Sequence, residues 1–150
     1  MTALPPRDPS SDPAPAKPFL PLPALVDRLV SERGYPLLDD AAAQPWRDDH
    51  TETWVVFLPG HGKGNSETAD VAVILPELID SLAPRLRPAV AGAVAEQAML
   101  ARTGMMSLPA LVFLRGEEML GSIPRVRDWD DYLERIAAIL IGSDPSTRLQ

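Results

Sequence analysis

Trp54-Val55-Val56-Phe57-Leu58 is an unbroken apolar run in a chain that is 23% charged overall. A strand with five consecutive apolar side chains has no face to offer to water, so both of its faces must be covered. This run therefore predicts the central strand of a sheet that carries elements on either side. The rest of the chain supplies them.

Leu25, Val26, Leu29 and Val30 recur at helical spacing, with Asp27, Arg28 and Glu32 on the other face; Pro23 favours the helix start and Gly34 ends it. Tyr35–Leu38 reads as a short strand. Residues 39–53 read as a polar loop holding Trp46, with a helical turn near Ala41–Gln44. After the central strand comes the loop Pro59-Gly-His-Gly-Lys-Gly-Asn65. A helix then runs to about Leu82, capped by Ser66 or Thr68, with Val71, Leu75, Leu78, Ile79 and Leu82 as its buried stripe. Pro76 inside that stripe predicts a kink. Leu86–Val94 is a third buried strand, and Pro88 places it near a strand start or a sheet edge. Glu96–Arg102 is a short helix closed by Gly104. Leu111–Arg115 and Met119–Ile123 form a hairpin around Gly116-Glu117. Asp128 caps a last helix with Trp129, Tyr132, Leu133, Ile136 and Leu140 on one face. Strands alternating with helices predict a parallel portion, and the hairpin adds an antiparallel one. The expected fold class is α/β, a central mixed sheet flanked by helices.

The organisation expected is a Pro-rich tail at residues 1–21, one domain at 22–142 and a polar tail at 143–150. Eight of the 17 prolines fall in residues 1–23, and proline there denies the backbone both a ladder and a helix. The segment is expected to be disordered or polyproline-like.

The 150 residues contain no cysteine. Disulfides, thiolate nucleophiles and cysteine metal sites are excluded. The net charge of −7 argues against nucleic acid and anionic lipid as partners, since no basic run interrupts it. Such a surface suits a basic partner, and equally an ordinary solvated surface. The N-terminal residues lack the apolar stretch of a secretory signal and no run reaches the length of a membrane span, so a cytoplasmic location is expected.

The order of elements resembles the thioredoxin fold from about Leu22 to Ile141. An apolar strand leads into a loop and then a helix with an internal proline, as WVVFL, the glycine loop and Pro76 do here. Leu108-Pro109-Ala110 before a strand resembles the cis-proline segment of that fold, which implies a cis Leu108–Pro109 bond. The departure lies at the redox motif. Counting back from Pro76, the place of the paired cysteines is held by Thr68-Ala69-Asp70-Val71, and neither hydroxyl nor carboxylate performs disulfide exchange.

A narrower resemblance rests on Asp70-Val-Ala-Val-Ile-Leu-Pro-Glu-Leu78 after the WVVFL strand and the glycine-rich loop. This is similar to the HupG/HyaE hydrogenase-maturation family, a cysteine-free thioredoxin-like family. The resemblance implies a non-redox, non-enzymatic assembly chaperone without cofactor. Its implied partner is the precursor of the [NiFe]-hydrogenase small subunit, with its twin-arginine signal, and further maturation factors remain open. A general thioredoxin-like adaptor without catalytic activity is the alternative.

The candidate partner-binding residues are Glu67, Asp70, Glu77, Asp80, Trp46 and Pro109. Asp70, Glu77 and Asp80 are spaced by seven and three, so they share a rough helix face, and Glu67 lies three before Asp70. The stripe can dock a basic peptide, or it can be a solvated face with acids favoured near the helix N-terminus. Trp46 can line a peptide groove or pin its loop. Other chemistries fit poorly. Gly60-His61-Gly62-Lys63-Gly64 has the wrong spacing for a phosphate loop and reads as a flexible connection, although a phosphorylated ligand there defines a third class of function. His50 and His61 lie in loops without further ligands, and are expected to be solvated rather than metal-bound. Ser66, His61 and Asp70 lack the nucleophile-elbow pattern of a hydrolase.

Overall fold

The computed structural model describes residues 24–39, 44–47, 51–61, 67–82, 85–104 and 107–142. The two tails, the predicted turn near Ala41, the Ser66 cap, His50 and the loop residues 62–65 lie outside the described residues.

The elements are α1 (Ala24–Ser31), β1 (Leu37–Leu38), β2 (Thr53–Leu58), α2 (Glu67–Leu82), β3 (Leu86–Ala91), α3 (Ala93–Thr103), β4 (Ala110–Arg115), β5 (Glu118–Pro124) and α4 (Trp129–Gly142). The five strands form one sheet in the order β1-β3-β2-β4-β5. β1, β3 and β2 run parallel, with Val56 opposite Ala89; β4 is antiparallel to β2, and β5 to β4. The apolar run is thus the middle strand, and every residue of β2 is buried.

Alternation along β2 divides the core in two. Val55 and Phe57 pack with Val26 and Leu29 of α1, Val71, Leu75 and Leu78 of α2, and Tyr132 and Ile136 of α4. Trp54, Val56 and Leu58 pack on the opposite face with Trp46 and with Ala95 and Met99 of α3. Side chains two residues apart on a strand share a face, so one apolar run feeds both cores.

Pro88 lies within β3, and the sheet tolerates it for a local reason. The N–H of Val90 donates to Pro36 and that of Gly92 to Leu38, so even-numbered amides of this stretch point toward β1. β1 is only two residues long and pairs at Val90 and Ala91, so no strand stands opposite the missing N–H of Pro88.

Three expectations about the elements are corrected. β3 ends at Ala91 rather than Val94 and α3 starts at Ala93, because Gly92 bonds to β1 only through its N–H while its carbonyl accepts the first helical bond from Glu96. Thr68 is not a cap; it sits inside the first turn of α2 and its Oγ1 donates to the Pro59 carbonyl at 2.7 Å. Trp129 is 37% exposed rather than part of the buried face of α4. α3 ends as expected, with Gly104 at φ 72 donating to Leu100. Among the described residues no helix is long and apolar enough to cross a membrane.

Candidate functional site

The end of β2 and the start of α2 meet the start of β4 and the end of β5 at one edge of the molecule. Leu108–Pro109 is cis, as the resemblance implied, and it enters β4 there. Gly60, just past β2, lies against it: a Cβ on Gly60 would stand 3.5 Å from the Cβ of Leu108. Pro109 itself is buried. Its carbonyl accepts the Arg125 N–H at 2.6 Å, just past β5.

Arg125 has φ 67, which is uncommon for a side-chain-bearing residue. The strain persists where surrounding contacts over-determine it, and Arg125 is held at three points. Its N–H bonds to Pro109, its carbonyl accepts the Tyr132 hydroxyl at 3.2 Å, and its guanidinium forks onto the Glu67 carboxylate. Nε donates to Oε1 at 3.0 Å and Nη2 donates to Oε2, while the Val126 N–H also donates to Oε1 at 3.0 Å. The Arg125 bond, then the Val126 amide, hold the Glu67 carboxyl below the ordinary glutamate range, and Glu67 in turn raises Arg125. Burial pushes the Tyr132 hydroxyl up.

The four acids of α2 therefore differ in what they have left to offer. Glu67 is half-buried and engaged by Arg125 and Val126. Asp80 is exposed and faces Arg33, from just after α1, at 3.4 Å. Asp70 and Glu77 are exposed. Val73, at 52% exposure, lies between these two on the same face. The open face of α2 is thus an apolar residue bracketed by carboxylates, with Asp80 one turn beyond. At the position of the thioredoxin cysteines, Thr68 and Val71 are buried and, of the four residues there, Asp70 is the exposed one.

Trp46 is 1% exposed and packs against Trp54 with ring centroids 6.4 Å apart. Of the two roles left open for it, pinning its loop matches this burial, and no groove wall is formed by a side chain so enclosed. It stands on the α3 face of the sheet, across the sheet from α2. His61 is corrected as well. It is half-buried rather than solvated, and its Nε2 donates to the Ala91 carbonyl at 2.8 Å.

Glu96 was missed entirely by sequence reasoning. It is buried, and accepts the N–H groups of Gly60 and His61 at 2.8 Å each. A glutamate in the first turn of a helix reads as an ordinary solvated residue, and no local pattern distinguishes this one. Among the described residues no cluster of side chains could hold a metal ion.

These features define a thioredoxin-fold protein whose two cysteine positions are filled by buried Thr68 and Val71. The fold likeness is direct: mitochondrial thioredoxin 3 of Saccharomyces cerevisiae aligns with a TM-score of 0.55 over 69% of this chain and 92% of that one, at 12% identity. The chain belongs to the family described as hydrogenase-1 expression protein HyaE, whose model matches residues 25–132. It is 44% identical to the hydrogenase expression/formation protein HoxO of Azotobacter vinelandii over 80% of each chain. It is 36% identical to HupG of Rhodobacter capsulatus, a protein of the same description, over 77% of this chain and 84% of that one. These relatives are named as expression and formation proteins, a role in hydrogenase maturation.

Proposed function

We propose that this chain is a non-redox assembly chaperone that binds the precursor of the hydrogenase small subunit through its twin-arginine signal. The observation that carries the reading is the open face of α2, where Asp70 and Glu77 flank exposed Val73 and Asp80 follows. A signal with paired arginines ahead of an apolar stretch is complementary to such a face. Arginine forks onto carboxylates, and each contact is worth on the order of 1.5–3 kcal/mol where shielded and less than about 1 kcal/mol where exposed. The net charge of −7 favours the same class of partner. A signal-bearing precursor is met before export, so the site of action is the cytoplasm. No covalent chemistry and no cofactor enter this reading.

The test is titration of a labelled small-subunit signal peptide into wild type and Glu77→Gln/Asp80→Asn at two salt concentrations. Affinity should fall in the variant and fall with salt, since the Debye length shrinks from about 10 Å at 0.1 M to about 3 Å at 1 M. Equal affinity in all four measurements would remove α2 from the mechanism. Binding would then pass to another surface, or the chain would act as a general adaptor.

A further inference from the structure

Gly60 and His61 direct two consecutive backbone N–H groups at one carboxylate. The Gly60 N–H donates to Glu96 Oε1 and the His61 N–H to Oε2, each at 2.8 Å. The carboxylate arrives from α3, 35 and 36 residues later in the chain. Gly60 has φ +97, a conformation that suits glycine and turns the two amides toward the same point. Consecutive N–H groups converging in such a turn form a concave receptor for an anion. Among the described residues no cation pairs with Glu96, and the groups bonded to its carboxylate are these two backbone N–H dipoles.

The surroundings leave little freedom to this arrangement. The Pro59 carbonyl accepts Thr68 Oγ1, and the His61 ring donates to Ala91. A carboxylate buried to this degree is costly unless its oxygens are bonded, and a buried amide such as that of Gly60 is costly unless it finds an acceptor. Each requirement is met by the other.

We propose that the Gly60–His61 turn is a carboxylate-binding site made of backbone, that Glu96 is its resident ligand, and that this occupancy fixes the chain where it leaves β2. The inference does not depend on which partner binds α2.

The experiment is amide hydrogen exchange by NMR on the full chain. Glu96→Ala removes one methylene and the carboxylate, a group the size and charge of acetate. Exchange at Gly60 and His61 should accelerate roughly tenfold or more, the scale set by a buried donor losing its acceptor. Acetate should restore protection at these two amides, whereas chloride at equal ionic strength and acetamide should not. Unchanged exchange in the variant, or equal recovery with chloride or acetamide, overturns the proposal. Should the alanine variant fail to fold, Glu96→Gln keeps the volume and turns one acceptor into a donor. Faster exchange at either amide then supports the site, and wild-type exchange at both overturns it.

Discussion

Arg125 and Glu67 stand 58 residues apart in sequence and meet across the end of the sheet, with Arg125 Nε 3.0 Å from Glu67 Oε1. The contact joins the end of β5 to the first turn of α2. Through the Arg125 N–H it reaches Pro109, and through the Arg125 carbonyl it reaches α4. One arginine in a left-handed conformation thereby ties together the four segments that make this end of the molecule.

Glu67 makes the stability of the protein depend on acid. Its folded-state carboxyl titrates below the ordinary value of 4.5, chiefly because Arg125 donates to it. A group shifted down stabilises the fold at pH above its ordinary value and loses that contribution as pH falls through the folded one. Denaturation midpoints of wild type should therefore drop below pH 4.5 more steeply than those of Glu67→Gln. Parallel pH profiles would show that the pair contributes nothing.

Arg125 at φ 67 separates backbone from side-chain effects. Both Arg125→Ala and Arg125→Gly lose the fork to Glu67, but only alanine retains the left-handed penalty. The glycine variant should be more stable than the alanine variant by about 1 kcal/mol, offset in part by the greater freedom of glycine in the unfolded chain. Chemical denaturation of the two variants decides it, and an alanine variant as stable as the glycine one would mean that the turn relaxes.

Trp46 should behave as core. Trp46→Ala is expected to cost about 3–5 kcal/mol, as for other large aromatic side chains removed from a packed interior. Trp46→Phe should cost less, since it keeps a ring against Trp54 and removes a buried indole N–H that has no partner among the described residues. Urea titration measures both. A phenylalanine variant that is fully stable yet has lost affinity for the signal peptide would return Trp46 to the binding surface.

Redox inertness follows from composition. With no cysteine in the chain, reduction of insulin by dithiothreitol should proceed at its uncatalysed rate in the presence of the purified protein. Acceleration would have to come from a chemistry the chain does not carry.

Much of the fold was legible because it is written at short range. The WVVFL run gave the middle strand, and the 3.6-residue spacing of Val71, Leu75 and Leu78 gave α2 and its buried side. The exposed positions of Asp70, Glu77 and Asp80 follow from that same spacing. Periodicity was less informative at element ends. Val94 reads as strand until the Gly92 carbonyl is seen to start α3, and Trp129 reads as core although it stands at the first position of α4, where one side is open to water.

The sequence by itself determined the layers, the order of elements, the absence of thiol chemistry and the acidic face of one helix. All of these depend on residue types or on neighbours within a turn or two. Only the tertiary structure decided that Glu67 is engaged by Arg125, that Trp46 lies under the sheet and that Glu96 is buried against Gly60 and His61. A carboxylate looks the same in sequence whether it faces water or an amide. Which it meets is settled when the sheet brings segments 35 to 58 residues apart to one end, and burial then makes each unpaired polar atom too costly to leave alone.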